Sequence, residues 1–354
     1  MRPEIVTPRY RALGPEGFGT YEVEWSATGP KMTRVSRSAD VLLVPGFVDL
    51  HVHGGFGIDF MSASSGDMEV LCSKLEAKGY EAFLATTVAA SAEAVLAAVA
   101  NLPEHPMIAG FHLEGPFLSE KYPGAQPRSE IRLPPAGGSE WDAVLDHSRL
   151  RVVTMAPELP GALELTTRLM KRGVKVSMGH TNATYEEARR GFEFGAAHCT
   201  HTFNAMRGLH HREAGMVGYA LLNDALKAEL IYDRLHVGRE AARLLFKCKG
   251  ADGVIAVSDG TQAIGMPPGT RIEMWGERCV MGRGEVRLEE GGALAGSAIT
   301  LLDAFRNLAE DFGEETAVRC CCVNPREALG MGAPRVWLEL GPGHEIMRRI
   351  SVRG

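Results

Sequence analysis

The sequence lacks several features that would assign a protein to a broad class at once. No apolar stretch approaches the ~18 residues that a membrane span needs. The N-terminal segment lacks the apolar core of a secretory signal. There is no internal repeat and no low-complexity linker. We therefore expect neither a membrane protein nor a secreted precursor.

The sequence also lacks an excess of positive charge and any CxxC pair of cysteines. The formal net charge is −6, which argues against nucleic acids and anionic membranes as partners. The seven cysteines include no CxxC pair, so a thiolate zinc site is not expected. Cys320, Cys321 and Cys322 are adjacent and poorly placed to pair with one another, which favours a reducing, cytoplasmic location. A metal would have to be held by other side chains.

From about residue 42 the chain alternates between short apolar runs and amphipathic stretches. The predicted strands are 42–53, 81–87, 108–114, 151–156, 174–180, 196–201, 227–235 and 254–259. The predicted helices are 67–79, 91–101, 160–172, 184–195, 238–250 and 299–312. Several end at a glycine that can stop a helix, namely Gly79, Gly173, Gly195 and Gly250. Eight strands alternating with helices predict an α/β fold, a closed (β/α)8 barrel of the TIM type.

The two ends of the chain have a different pattern. Gly, Pro and Thr are frequent in the first 40 residues, and polar and apolar residues alternate over 20–25. The tail from residue 335 also has the pattern of β-strands. These segments predict a small β-sandwich-like domain built from both termini, with residues 1–44 and 332–354. The barrel would then occupy 45–331.

Every strong candidate for a metal ligand lies at the carboxyl end of a predicted strand, where barrel active sites are built. The candidates are His51, His53, Glu114, His180, His201 and Asp259. His51 and His53 are two apart on one strand, so both imidazoles can point into the barrel mouth. Four imidazoles and two carboxylates make a mixed nitrogen and oxygen site, which suits Zn or Fe better than Mg or Ca.

Each candidate also has a purely structural explanation. A lone histidine at a strand end is more often a hydrogen-bonded polar residue. The histidines that we expect to be of that kind are His105, His112, His147 and His198. Glu114 alone could cap a helix, and Asp259 alone could orient a loop. Six such residues at the same end of separate strand–helix units are poorly explained by coincidence.

Five motifs carry a resemblance to a known family. They are PGFVDLHVHG at 45–54, HLEGPF at 112–117, GHTNA at 179–183, THTFNAM at 200–206 and LAGSA at 294–298. The first resembles the opening motif of the amidohydrolase superfamily. Together, over about residues 42–330, they resemble the N-acetylglucosamine-6-phosphate deacetylases. This resemblance implies hydrolysis of the acetamide of that amino-sugar phosphate, an activity of amino-sugar breakdown and recycling.

The resemblance also implies a role for each candidate ligand. Glu114, His180 and His201 would hold the principal metal. His51 and His53 would hold a second metal, with Glu114 bridging the two. One or two divalent ions per subunit are therefore expected, Zn or Fe first and Co or Mn as further candidates. Asp259 would be the catalytic acid and base and would also contact the metal.

Substrate contacts follow from the same resemblance. The residues matching phosphate contacts are Asn204, Ala205 and Arg212. Those matching the segments along the sugar are Asp233, Arg234, Leu235, His236, Leu294, Ala295 and Gly296. His236 is placed to hydrogen-bond the substrate, including its developing oxyanion. Many family members have a histidine where this chain has Gln126, beside Ala125. Gln126 can donate a hydrogen bond to the substrate but cannot carry a proton.

The resemblance also implies a homodimer in which Arg212 reaches the phosphate in the neighbouring active site. The loop 206–215, which carries Arg212, is long enough to leave its own barrel mouth and is locally basic. Three alternatives remain. A deacetylase for N-acetylgalactosamine 6-phosphate differs at one sugar hydroxyl. A dihydroorotase- or dipeptidase-like amidohydrolase would commonly use a carbamylated lysine where Glu114 stands. A non-catalytic binding barrel would be expected to have lost ligands.

Overall fold

The computed structural model describes residues 8–352, so the parts of the predicted terminal domain at 1–7 and 353–354 lie outside the described residues. The strands, numbered along the chain, are β1 (Arg9–Gly14), β2 (Gly17–Ser26), β3 (Gly29–Arg34), β4 (Leu42–Pro45), β5 (Phe47–Val52), β6 (Gly54–Gly55), β7 (Ile58–Asp59), β8 (Tyr80–Thr86), β9 (Ile108–Glu114), β10 (Leu150–Met155), β11 (Lys175–Met178), β12 (Ala196–Cys199), β13 (Lys227–Ile231), β14 (Val254–Val257), β15 (Arg271–Met274), β16 (Glu277–Met281), β17 (Glu285–Leu288), β18 (Leu294–Ser297), β19 (Val336–Leu340) and β20 (Ile346–Ser351). The helices are α1 (Ser65–Glu76), α2 (Ala92–Ala100), α3 (Asp142–Leu145), α4 (Ala162–Lys171), α5 (Tyr185–Glu193), α6 (Gly215–Leu222), α7 (Arg239–Lys249), α8 (Leu301–Phe312), α9 (Glu314–Val318) and α10 (Asn324–Ala328).

Eight parallel strands of the described chain form the predicted barrel. β5 is followed in the sheet by β8, β9, β10, β11, β12, β13 and β14 in chain order. The last strand returns to the first, because Val52 and Gly260 form a parallel bridge and the His53 N–H donates to the Gly260 carbonyl at 2.8 Å. The (β/α)8 architecture predicted from the alternating pattern is therefore confirmed. Within residues 8–352, no helix is long and apolar enough to cross a membrane.

Two hydrophobic cores hold the barrel together. The inner core fills the barrel with side chains from its strands, namely Val48, Leu50, Ala82, Leu84, Val152, Ile231, Ile255 and Val257. Leu329 and Met331, from the segment after α10, pack against this inner core. The larger outer core lies between the barrel and its helices and includes Phe83, Phe111 and Phe305. Because side chains fill the interior, the open end of the barrel is where a ligand can bind.

The first predicted strand, 42–53, is wrong in one respect, because it is divided in two. β4 belongs to the terminal sheet and β5 to the barrel, and Gly46 separates them. A Cβ at Gly46 would lie 2.7 Å from Cβ of Glu81 and 3.1 Å from Cβ of Val336. Only a residue without a side chain permits so close an approach. The chain therefore passes from one sheet to the other at this residue.

The helices begin and end near the predicted residues. Ser64 and Thr184 form capping boxes with Asp67 and Glu187, which satisfy two backbone N–H groups at the start of each of α1 and α5. The four predicted stop glycines all have positive φ, and they are Gly79 (86°), Gly173 (80°), Gly195 (117°) and Gly250 (63°). The left-handed conformation that ends these helices is one that glycine adopts at little cost.

Both termini contribute to one six-stranded sheet, as the terminal β patterns predicted. Its order is β20, β19, β4, β1, β2 and β3, and all neighbours are antiparallel except β1 and β4. Its core contains Tyr10, Tyr21, Val23 and Trp337, and the Trp25 ring meets the Trp337 ring edge-on at 6.3 Å. Tyr10 also donates a hydrogen bond of 2.6 Å to Glu339, which joins the N-terminal and C-terminal strands.

An additional sheet, which the sequence patterns did not predict, lies between β14 and α8. β15, β16, β17 and β18 form an antiparallel meander with its own core of Ala263, Met274, Cys279, Met281, Val286 and Ala295. The meander, which we call the inserted sheet (residues 271–297), returns to the barrel where it left. The Ser297 N–H donates to the Asp259 carbonyl at 2.8 Å, and the Thr261 N–H donates to the Ser297 carbonyl at 3.1 Å.

Gly79 offers a test of how closely the terminal sheet packs on the barrel. A Cβ at Gly79 would lie 2.7 Å from Leu338 and 3.1 Å from Ile346, whereas a Cβ at Gly173 would meet nothing within 4 Å. We expect Gly173→Ala to lower the free energy of unfolding by about 1–2 kcal/mol for its backbone alone. Gly79→Ala should lose a further ~1–3 kcal/mol from overpacking. Urea unfolding of both variants measures the difference, and equal losses would contradict the close packing.

Candidate metal centre and active site

The six candidate ligands lie together at the carboxyl ends of the barrel strands. None has more than 8% of its surface exposed, and they are His51, His53, Glu114, His180, His201 and Asp259. His51 lies near the end of β5, His53 comes directly after it, and Glu114 is the last residue of β9. The structure therefore brings together residues that the sequence separates by up to about two hundred positions.

Four of these residues lie beyond their strands, His53 by one residue and the other three by two, so the predictions that strands extend through them were wrong. His180, His201 and Asp259 come two residues after the ends of β11, β12 and β14. Their φ angles are 46°, 28° and 49°, in the left-handed region. This conformation costs an L residue about 1–2 kcal/mol. Strain of this kind is maintained where the surroundings hold it, and it clusters at functional sites.

Glu114 lies between two pairs of imidazoles. Its Oε1 is 3.2 Å from Nε2 of His180 and 3.1 Å from Nε2 of His201. Its Oε2 is 3.4 Å from Nε2 of His51 and 3.3 Å from Nε2 of His53. Within each pair the two Nε2 atoms are 3.1 Å apart. The Glu114 carboxylate therefore belongs to two clusters, and each cluster consists of one of its oxygens and two imidazole nitrogens.

The donor spacing fits a divalent metal in each cluster. Ligands about 2.0–2.1 Å from a tetrahedral metal lie roughly 3.3 Å from one another. Nδ1 of His53 is 3.1 Å from the Thr86 carbonyl, and Nδ1 of His180 is 3.1 Å from the Tyr122 carbonyl. Because a carbonyl can only accept, these Nδ1 atoms carry the proton and leave the Nε2 lone pair free in the neutral ring. The two clusters, 51–53–114 and 114–180–201, can each hold an ion.

The charges within the centre favour a cation. Burial lowers the pKa of His53, but the two adjacent carboxylates outweigh it and raise that pKa to about 10. Burial also lowers the pKa of His201, and Glu114 outweighs it and raises the pKa to about 9. Burial raises the pKa of Glu114, but His51 and His180 more than offset this and hold it well below its usual range. The negatively charged carboxylates of Glu114 and Asp259 therefore attract positive charge, which a metal ion can supply.

Asp259 lies beside the first imidazole pair. Its Oδ1 is 3.4 Å from Nε2 of His51 and 3.2 Å from Nε2 of His53. Its N–H donates to the His51 carbonyl at 2.9 Å, and its own carbonyl accepts from Ser297. The backbone of Asp259 is thus bound on one side by the first barrel strand and on the other by the inserted sheet. A carboxylate held in this way can exchange protons with a reactant at the metal centre.

Asp49 supports this region and was not predicted as a functional residue. Its Oδ1 accepts from the N–H groups of His51 and Ser258, both at 3.2 Å. Its Oδ2 accepts from the Tyr80 hydroxyl at 3.2 Å. The fully buried carboxylate therefore joins β5 to the end of β14, next to two of the metal-centre residues. A carboxylate between the apolar residues Val48 and Leu50 of a predicted barrel strand was the signal that could have identified it.

A pocket with a cavity volume of about 160 Å³ opens over the metal centre. The predicted substrate contacts that line it are Ala125, Gln126, Asn204, Ala205, His236, Leu294 and Gly296. Five of the six candidate ligands form part of the same surface, all except His51, which lies deeper. A ligand in this pocket would therefore contact the metal centre directly.

The pattern of a known family covers most of the chain. Residues 42–334 match the amidohydrolase family. The chain belongs to the amidohydrolase family. Its barrel, with histidines and acidic residues at the carboxyl ends of the strands, is consistent with this membership. Membership implies binding of a divalent metal, and the clusters 51–53–114 and 114–180–201 could hold it.

Individual relatives are similar over nearly the whole amidohydrolase chain. N-acetylglucosamine-6-phosphate deacetylase of Bacillus subtilis is 35% identical over 318 residues, which is 87% of this chain and 79% of that protein. N-acetylgalactosamine-6-phosphate deacetylase of Escherichia coli O157:H7 is 35% identical over 316 residues, 86% of this chain and 83% of that protein. A variant of N-acetyl-D-glucosamine-6-phosphate deacetylase from Mycobacterium smegmatis, solved with N-acetyl-D-glucosamine-6-phosphate, has a TM-score of 0.87 and 30% identity, and the match covers 95% of this chain and 94% of that chain.

Gln126 of this amidohydrolase contacts the metal centre itself. The sequence predicted a substrate contact at this residue, and Gln126 does line the pocket. Its side-chain amide, however, donates to Oε2 of Glu114 at 2.7 Å and accepts from the Ala89 N–H at 2.7 Å. The buried amide is therefore held between the Ala89 backbone and the shared carboxylate. In this position it orients Glu114.

His236 lines the pocket, and Asp233 orients it. Oδ2 of Asp233 is 2.6 Å from Nδ1 of His236, and Oδ1 accepts from the N–H groups of Leu235 and His236 at 2.8 and 2.7 Å. Asp233 itself does not appear in the pocket wall. The structure places it behind His236, where its carboxylate fixes the ring.

Three predicted sugar contacts point elsewhere. Arg234 has φ of 68° and its guanidinium binds Asp311 at 2.7 Å, on the outer helix α8. The Leu235 side chain is 47% exposed and does not line the pocket. The side chain of Ala295 is buried in the core of the inserted sheet. Neighbouring residues in a turn or strand point in different directions, and only some of these side chains face the pocket. Contact of Arg234, Leu235 and Ala295 with the sugar therefore stays a prediction.

Arg212 is also absent from the wall of its own pocket. It lies exposed in the loop after β12, with one guanidinium nitrogen 2.8 Å from Nε2 of His211. Asn204 and Ala205, the other predicted phosphate contacts, do line the pocket, and Ala205 has φ of 48°. Asn204 and Ala205 therefore face the pocket of their own chain, and Arg212 does not.

The sequence patterns missed two residues of the pocket wall, Gly124 and Trp275. A Cβ at Gly124 would lie 3.1 Å from the His180 ring, so glycine allows the loop to cover that imidazole. Trp275 comes from the inserted sheet, and its ring lies 5.1 Å from the His53 ring, centroid to centroid. An aromatic residue followed by glycine between two alternating segments was the available signal for the turn that carries it.

Gln126 tests whether support of Glu114 governs metal binding. Gln126→Leu removes the donor to Glu114 and should weaken the affinity for a divalent metal about 10–100-fold, the usual effect of losing such a supporting hydrogen bond. Titration against a competing chelator measures this affinity. Gln262→Leu is the matched control, because the amide of Gln262 binds the Glu273 carbonyl instead. Equal affinities in the two variants would contradict the role of Gln126.

Proposed function

We propose that the chain hydrolyses the acetamide of N-acetyl-D-glucosamine 6-phosphate, releasing acetate and D-glucosamine 6-phosphate. One observation carries this proposal: the Glu114 carboxylate lies within 3.4 Å of four imidazoles at the floor of a pocket. The similarity to the N-acetylglucosamine-6-phosphate deacetylase of Bacillus subtilis, and to a structure containing that sugar phosphate, supports the choice of substrate.

In this proposal Glu114, His180 and His201 hold the principal metal. His51 and His53 hold a second ion, with Glu114 shared between the two. Zn or Fe is the expected metal, with Co or Mn as substitutes, because the donors are imidazole and carboxylate. A divalent metal bound there supplies Lewis acidity, which activates water and polarises the amide carbonyl.

The remaining residues have distinct tasks. Asp259 accepts a proton from the attacking water as the water oxygen bonds to the acetamide carbon. The C–N bond then breaks, and Asp259 delivers that proton to the departing nitrogen. His236, held by Asp233, hydrogen-bonds the substrate at the reacting end. Asn204 and the Ala205 backbone bind the phosphate end.

A second candidate substrate is N-acetyl-D-galactosamine 6-phosphate. The relative from Escherichia coli O157:H7 that carries this name is as similar to the chain, at 35% identity, as the Bacillus subtilis glucosamine enzyme. The two sugars differ at one hydroxyl, and direct comparison of the two substrates decides between them. The cytoplasm is the proposed location, supported by seven cysteines that are all free.

Metal removal tests the proposed chemistry. Protein stripped with a chelator should release no acetate from N-acetyl-D-glucosamine 6-phosphate, because the metal-centre residues then lack the ion that activates water. Activity should return with Zn, Fe, Co or Mn. The unphosphorylated sugar and the galactosamine epimer serve as comparison substrates in the same assay. Full acetate release by metal-free protein would exclude the proposed mechanism.

We further propose that the enzyme is a homodimer in which Arg212 binds the phosphate in the neighbouring subunit. Its exposure, and its position away from the pocket of its own chain, support this arrangement. Arginine pairs well with phosphate, because its guanidinium remains charged and offers several donors. In a two-fold dimer each subunit would complete the site of the other.

Mixed dimers test the shared site. Arg212→Met should raise KM for the phosphorylated sugar, and Asp259→Asn should abolish turnover, so each variant alone has little activity. When the two variants are co-expressed, random pairing makes about half of the dimers mixed and restores about a quarter of all sites. Acetate release at low substrate concentration measures the recovery. Activity no higher than the mean of the two single variants would show that Arg212 serves its own chain.

A further inference from the structure

Trp275 occupies a turn that an aromatic residue rarely adopts. Met274 and Glu277 pair across the end of the β15–β16 hairpin, so Trp275 and Gly276 form a two-residue turn. Their φ angles are 55° and 85°. Turns with two positive φ angles favour asparagine and glycine, because bulky L residues are strained there. The surrounding contacts must hold Trp275 in this conformation.

Trp275 packs against the core of the inserted sheet, and two further contacts hold it to the barrel side. The indole N–H donates to Oδ2 of Asp59 at 2.9 Å, and Asp59 lies in β7, shortly after the first barrel strand. The ring meets the His53 imidazole edge-on, with planes inclined by 64°. One side chain of the inserted sheet is therefore fixed directly against the metal centre, within the pocket wall.

The barrel order places Trp275 away from the phosphate end. Trp275 follows the eighth strand, β14, and contacts residues that follow the first, β5. Asn204 and Ala205 follow the sixth strand, β12, which is three strands away from β5 around the barrel. In the proposed substrate pose, with the phosphate bound at Asn204 and Ala205, the acyl group lies on the side of the first strand, next to His53 and Trp275.

We propose that the Trp275 indole forms the wall of the acyl subsite and restricts the enzyme to acetyl groups. This inference rests on the proposed deacetylation. The indole is apolar, as the acyl methyl is, and its two fixed contacts prevent it from moving aside for a longer chain. The pocket is small, at about 160 Å³, so a single large side chain determines much of its shape. The strained turn is then explained by the position it gives the ring.

An acyl series tests this wall. We would measure kcat/KM for N-acetyl-, N-propionyl- and N-butyryl-D-glucosamine 6-phosphate. Each added methylene should cost the unmodified enzyme about tenfold or more, the usual scale for one methylene in a fitted pocket. Trp275→Gly removes the wall and suits the positive φ, so its propionyl-to-acetyl ratio should rise about tenfold. Trp275→Phe, with a smaller ring, should give an intermediate ratio.

The control is Trp25→Phe, a similar loss of aromatic surface in the terminal sheet, where Trp25 packs on Trp337. Its acyl ratio should equal that of the unmodified enzyme. Ratios that are unchanged in both Trp275 variants, while acetate is still released, would overturn the acyl wall and leave the deacetylase proposal standing. An unmodified enzyme that released no acyl group from any of the three substrates would overturn both.

Discussion

The active end of this barrel depends on one buried carboxylate that must face two pairs of imidazoles at once. Glu114 has both oxygens within 3.4 Å of ring nitrogens, and a charge so deeply buried is stable only when it is compensated. The need to bring four histidines to one carboxylate explains why strands from separate parts of the chain end at a common point. It also explains why a glutamine amide, Gln126, is buried beside Glu114 rather than in contact with solvent.

Convergence of this kind has a cost in the backbone. His180, His201 and Asp259 leave their strands through left-handed conformations, which are unfavourable for each of them. The surrounding hydrogen bonds offset the strain. Asp49, for example, accepts from the N–H groups at the ends of two strands, so the first and last strands of the barrel hold the site in place together. The hydrogen bonds that stabilise these turns therefore also hold the metal-centre residues in position.

Much of this arrangement could be predicted from the sequence. Alternating apolar runs indicated the barrel, and histidines at predicted strand ends indicated the metal-centre residues, because strand period and strand direction are local properties. The direction in which the Arg234 side chain points could not be predicted, since it depends on a contact with Asp311, 77 positions later. The inserted sheet was missed because three of its four strands have only four residues and lie partly exposed, which leaves little periodicity. Trp275 was missed with it, because its partner Asp59 is 216 residues away.

The inserted sheet leaves the barrel after Asp259 and returns to it at Ser297, which binds the Asp259 backbone. Its two ends therefore join the barrel at one place, Trp275 holds it against the barrel a second time, and it has a small core of its own. Mutations, or changes in length, within the inserted sheet can accumulate without moving the strands that carry the histidines. Evolution can consequently alter the wall that meets the substrate separately from the centre that performs the chemistry. Barrels with an inserted sheet of this kind can diverge in the substrates that they bind while they conserve the reaction that they catalyse.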